Sequence, residues 1–142
     1  GTIAEKVTDA GVTIDSLNIK DGTLALAKSL KGNTQIDTFA NCNPLDFSLY
    51  NNFIITLANG SNSLTNPSTD VTATIGTSGI IVFIQPSSST AGSVSHSGAG
   101  DFETVGGVAL ELSSPNGAYD VVPYFIKGAN SILLGSPQLA FS

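Results

Sequence analysis

The stretch Gly76-Thr77-Ser78-Gly79-Ile80-Ile81-Val82-Phe83-Ile84-Gln85 decides the fold. Residues 80–84 are apolar on both faces of an extended chain, which predicts a central strand covered on each side. Ser78-Gly79 and Pro86-Ser87-Ser88-Ser89 punctuate it as turns. Working outward, β-branched or aromatic runs predict further strands over 34–40, 47–48, 53–58, 69–75, 93–95, 108–113, 118–127 and 131–134. Asn59-Gly60, Gly106-Gly107, Pro115-Asn116-Gly117, Gly128 and Gly135-Ser136-Pro137 separate them. Eight or nine short strands at regular spacing predict an all-β domain over 33–142, an antiparallel β-sandwich of jelly-roll-like type. Tyr119, Val121 and Phe125 fall on one strand face, with Tyr119 expected in the core or a subunit interface. Pro123 lacks a ladder donor and demands an edge position or a bulge.

Residues 1–32 differ in character. Val12-Thr13-Ile14-Asp15 alternates, Leu17, Ile19 and Leu24 follow closely, and Asp21-Gly22 is a tight-turn pair. One short helix is expected within 21–32, DGTLALAKSLKG. A segment of this length cannot bury a core alone; chains below about 40 residues need metals, disulfides or oligomerisation. The expectation is a short N-terminal β stem that interlocks three chains through Val12, Ile14, Leu17, Ile19 and Leu24. The alternative is that it adds strands to the domain that follows.

Charged residues are only 11% of the 142, against about 25% in ordinary domains, so solubility rests on Ser, Thr, Asn and Gly. There is no Arg, and the five cations are all Lys in a chain of net charge −6. That argues against nucleic acid, whose phosphates need neutralising cations, and against anionic membrane surfaces. No apolar run reaches the length of about 18 residues that would insert in a membrane. The chain has no Met, which points to a processed or excised piece with Gly1 as a tag remnant.

Material for catalysis is thin. His96 is the sole histidine and lies in a Ser/Gly-rich loop, reading as a solvated side chain. Cys42 is the sole cysteine, without a basic neighbour to activate it, and reads as a small, partly buried side chain. Asp101 and Glu103 are two apart and can share a strand face, but a solvated acidic strand end explains them better than a glycosidase pair. Gly98-Ala99-Gly100-Asp101 and Gly106-Gly107-Val108 open no helix after a strand and are turns. The expectation is a non-enzyme with no cofactor and no metal site. Loops 59–70, 86–100 and 114–118 offer adaptable hydrogen bonds with little charge, and Tyr50, Ser88, His96 and Asn116 are the candidate receptor contacts.

Several elements also match a known pattern. They are Phe47 to Leu57, Leu64-Thr65-Asn66-Pro67, Gly76 to Gln85, Phe102 to Leu112, Gly117 to Val122, Ser131-Ile132-Leu133-Leu134 and Ala140-Phe141-Ser142. In this order they resemble a β-sandwich module at the ends of phage tail fibres and other virion appendages. Ala10-Gly11-Val12-Thr13-Ile14-Asp15-Ser16-Leu17, with Ile19-Lys20-Asp21-Gly22, resembles a short stem motif of phage fibre and spike chains. The chain departs from the pattern at residues 95–100, where related modules often carry Trp. The resemblance implies a homotrimeric virion protein, made in the host cytoplasm, that contacts other virion proteins and a host-cell receptor (glycan or protein). Rival expectations are a capsid-decorating or collar fibre, and a lectin-like carbohydrate-binding module.

Overall fold

Successive side chains on an extended strand point to opposite faces, so burial along a strand shows which face meets the core. The computed structural model describes residues 32–67, 71–88 and 90–141. The chain divides into two units, 1–31 and 32–142, and the described residues belong to the second. The helix expected within 21–32 and the stem residues Val12, Ile14, Leu17, Ile19 and Leu24 lie outside the described residues.

Nine strands form among the described residues: β1 (Thr34–Thr38), β2 (Asn52–Thr56), β3 (Gly60–Ser63), β4 (Ser78–Ile84), β5 (Gly92–Ser95), β6 (Phe102–Thr104), β7 (Tyr119–Gly128), β8 (Ser131–Leu134) and β9 (Gln138–Phe141). One helical turn, α1 (Phe39–Cys42), follows β1. Seven strands make one sheet in the order β1-β2-β4-β7-β8-β6, with β9 also paired to β7, while β3 and β5 pair separately. The all-β class therefore holds, but the expected antiparallel arrangement does not. β1–β2, β2–β4, β6–β8 and β3–β5 are parallel, and only the pairs made by β7 are antiparallel. The cause is the chain path. Parallel neighbours need a crossover, and the segments after β1 and β2 run back across the sheet before the next strand begins.

The central strand is the expected one. Ile81 and Phe83 of β4 are fully buried, beside Phe53 and Ile55 of β2 and Val122 and Ile126 of β7. Burying each such side chain stabilises the fold by about 1.5–3 kcal/mol. Over this inner face lie Phe39 and Cys42 of α1, then Leu45, Phe47, Leu64, Val71, Val94 and Leu110. Phe47 is the hinge of the packing, its ring 5.3 Å from Phe53 and 5.0 Å from Tyr124, both edge-on. Three expected strands are absent because their apolar residues serve this covering layer. Residues 47–49 form a turn, Val71–Thr74 a 3-10 turn, and 108–113 is without ladder pairing.

The opposite face is not covered as the sequence led us to expect. Ile80 (42% exposed), Phe125 (44%) and Ile36 (71%) stand open on it, among half-buried Ile54, Val82 and Val121. Tyr119 also projects from this face, which corrects its expected place in the core of the domain. Pro123 sits within β7, not at an edge, yet the demand for an interruption is met. Gly135 N–H donates to the Pro123 carbonyl (2.8 Å), and the chain then leaves the ladder at 135–137 between β8 and β9. The missing proline N–H faces that break, so no partner is orphaned.

Candidate functional site

Register places the ends of β2 and β4 side by side at Thr56 and Ile84, with Tyr119 at the start of β7 opposite Ile84. The loops leaving these strands therefore gather at one end of the sheet. Gln85 continues the inward alternation of Ile81 and Phe83 and is buried. A buried amide must be hydrogen-bonded. Gln85 Nε2 donates to the Gly92 carbonyl (2.9 Å), and Gly92 N–H donates to Gln85 Oε1 (2.7 Å), closing residues 85–92 into a loop. Gln85 N–H donates to the Ala118 carbonyl (2.9 Å), which ties this loop to the Pro115-Asn116-Gly117 turn. Gly92 is required by close approach, since a Cβ there would lie 2.7 Å from Leu57 Cβ and 2.8 Å from the Ala58 carbonyl oxygen.

A second buried amide fixes the neighbouring loop. Asn62 Oδ1 accepts from Ala58 N–H (2.9 Å), and its Nδ2 donates to the carbonyls of Ala58 (2.9 Å), Gly60 (3.1 Å) and Ser93 (3.2 Å). Asn59 and Gly60 are thus held at the turn into β3, with Gly60 at φ +76, a value that favours glycine. Above these two clamps stand exposed polar groups. Ser88 Oγ donates to Asn59 Oδ1 (2.5 Å), and Asn116 Nδ2 donates to the Ser87 carbonyl over a longer 3.5 Å. The resulting apex presents amides and hydroxyls from 59, 88 and 116 on a fixed base. None of these three residues bears a charge.

Two of the four residues singled out from sequence, Ser88 and Asn116, therefore lie together. The other two do not. Tyr50 is half-buried two residues before β2, at the opposite end of that strand, with its ring 6.2 Å from Phe53 as part of the core rim. His96 is half-buried after β5, its Nε2 3.3 Å from Thr104 Oγ. Asn59 completes the apex and Gln85 and Asn62 support it, none of which was singled out. The signal for Gln85 was present, because a polar residue in phase with Ile81 and Phe83 has to be buried and bonded.

The residues considered for chemistry are engaged elsewhere. Glu103 accepts from the Ser131 hydroxyl and pairs with Lys127 (3.4 Å). The Ser131 hydrogen bond, and secondarily the Lys127 charge, hold its carboxyl below the usual range. Asp101 N–H donates to Asn66 Oδ1 (3.2 Å) in the turn before β6. Cys42 is buried in α1, and desolvation, with the Asp37 carboxylate adding to it, pushes its thiol up and away from nucleophilic character. Among the described residues no helix is long and apolar enough to cross a membrane. No family profile, curated protein or solved structure matches this chain.

Proposed function

We propose that the chain is a phage virion structural protein, the tip of a homotrimeric tail fibre or spike that attaches to a host-cell receptor. In this reading the seven-stranded sheet and the β3–β5 pair are the two faces of a jelly-roll-like sandwich. The observation that carries the reading is the apex of Asn59, Ser88 and Asn116, uncharged and pinned from beneath by Gln85 and Asn62. Pinned loops lose little freedom on binding, so weak polar contacts are not offset by ordering costs. Uncharged amides and hydroxyls complement the hydroxyls of surface glycans or the backbone of a surface protein. Several copies held together multiply a weak contact. The resemblance of the N-terminal and C-terminal elements to phage fibre chains supports the virion setting.

The same apex favours one second reading, a lectin-like module that binds sugar as a monomer. Fluorescent full-length protein is to be tested on bacterial cells of candidate hosts and on a glycan array. The attachment reading expects binding to whole cells that the combined Asn59→Ala, Ser88→Ala, Asn116→Ala variant loses. Unchanged cell binding by that variant removes the apex from the function.

A further inference from the structure

The sequence holds two Asn-Gly pairs, Asn59-Gly60 and Asn116-Gly117, and the fold carries both to the apex. Such a pair has a chemistry of its own. Glycine has no side chain to keep its peptide nitrogen from the amide carbon of the asparagine before it, so the two atoms can meet.

The surroundings of the two pairs differ. Gly60 N–H donates to the Ala91 carbonyl (3.1 Å), and the Gly60 carbonyl accepts from Asn62 Nδ2 (3.1 Å). That nitrogen is fixed where the β3–β5 ladder begins. The Ser88 hydroxyl on Asn59 Oδ1 polarises the amide and favours attack on it, but the nucleophile is engaged. Gly117 is the reverse case. Its N–H has no hydrogen-bond partner among the described residues, it is exposed at φ +70, and a Cβ there would meet nothing within 4 Å. Asn116 is exposed as well, and its Nδ2 reaches the Ser87 carbonyl only at 3.5 Å, too long for a firm hold.

We propose that Asn116 is a self-modifying site with water as its co-reactant, and that the fold holds Asn59 unreactive. Gly117 N gives its proton to solvent base and attacks Asn116 Cγ, forming an N–Cγ bond. The Cγ–Nδ2 bond breaks, ammonia leaves, and a succinimide ring is closed. Water then opens the ring. Addition at Cγ breaks the new bond and yields aspartate, whereas addition at the Asn116 main-chain carbonyl carbon breaks the original peptide bond and yields isoaspartate. No oxidant or reductant is needed. Each event adds one negative charge to a chain of net charge −6 and sets it among the uncharged groups of the apex. It also removes the donor to Ser87, and the isoaspartate form lengthens the turn that Ala118 N–H closes on the Pro115 carbonyl (3.1 Å). The Ala118 carbonyl holds Gln85 N–H, so the change reaches the clamp beneath the loop. The consequence for attachment rests on the receptor reading of the apex; the modification does not.

The test ages freshly purified full-length protein at mildly alkaline pH. Mass spectrometry follows each Asn-Gly peptide, and an isoaspartyl methyltransferase assay counts isoaspartate. Native protein should convert at Asn116 about tenfold or more faster than at Asn59, because reaction at Asn59 requires this end of the ladder to open against its hydrogen bonds. In guanidinium-unfolded chain the difference should collapse. The acidic form that grows on ion exchange should be absent from Asn116→Gln, whose longer side chain closes a six-membered ring poorly, and present in Asn59→Gln. Equal native rates at the two sites overturn the proposal, as does the same ratio folded and unfolded, or an Asn116 that stays intact while the unfolded chain converts it. Cell binding by the aged protein separates the two readings. Conversion at Asn116 with loss of binding supports both. Conversion with full binding keeps the modification site and removes Asn116 from attachment, while an intact Asn116 in a protein that binds cells overturns the site alone.

Discussion

Removing the carboxylate of Asp120 should separate the C-terminal strand from the sheet. Asp120 is fully buried in β7, between the inward residues Ala118 and Val122. Its Oδ2 accepts from Ser113 N–H (2.7 Å), and its Oδ1 from Ser113 Oγ (2.5 Å) and Ala140 N–H (2.9 Å). One side chain thus fastens both the 110–114 segment and β9 to the long strand. Ala140 has φ +59, a left-handed backbone that costs a non-glycine residue roughly 1–2 kcal/mol, so β9 depends on this anchor. Asp120→Ala deletes three hydrogen bonds to a buried acceptor and orphans two backbone N–H groups. At roughly 1–3 kcal/mol for each orphaned donor, the loss should be about 3–5 kcal/mol. For a unit of this size that lowers Tm by about 12–20 °C. Urea unfolding measures the global term, and amide exchange on 138–141 measures the local one. Asp120→Asn keeps the shape but turns a donor toward Ser113 N–H, so it should fall between wild type and Ala. A loss below about 1 kcal/mol for Asp120→Ala, with β9 still protected, would refute the anchor.

Three further outcomes are expected. Tyr124 is buried with its hydroxyl donating to the Asn51 carbonyl (2.7 Å), and burial pushes its pKa up to about 12 from the usual 10. The unfolded chain releases this proton first, so stability should fall between pH 10 and about 12, by at most about 1.4 kcal/mol per unit, and Tyr124→Phe should flatten that slope in unfolding titrations. Gly79→Ala should cost 4 kcal/mol or more, roughly, or abolish folding, because its Cβ would lie 1.8 Å from the Asn51 carbonyl oxygen. Gln85→Ala orphans both polar groups of Gly92, and should lower stability by about 2–4 kcal/mol in chemical denaturation while raising amide exchange across 86–92.

How much of this was legible in advance depends on the residue. Ile80 to Ile84 announced a central strand because five apolar residues in an extended run leave no solvent-facing side, and 131–134 was bounded correctly by its flanking turns. The segments 69–75 and 108–113 looked alike by that criterion and were not strands. Apolar side chains there pack onto the sheet one at a time, and local sequence cannot separate packing from pairing. The strands β3, β6 and β9 were missed as well, and for β3 the reason is the converse. Gly60-Ser61-Asn62-Ser63 carries almost no apolar signal, and it pairs because β5 lies alongside.

By itself the sequence determined what depends on neighbours along the chain and on totals. These are the β-rich class, the central place of β4, and a charge inventory of five Lys against eleven carboxylates. The tertiary structure decided what depends on the return path between strands. It made the ladders parallel and carried Asn59, Ser88 and Asn116 to one end while leaving Tyr50 at the other. It also covered one side of Ile80 to Ile84 and left the second side open. A period of two fixes which side chains share a face; only the crossovers fix what that face meets.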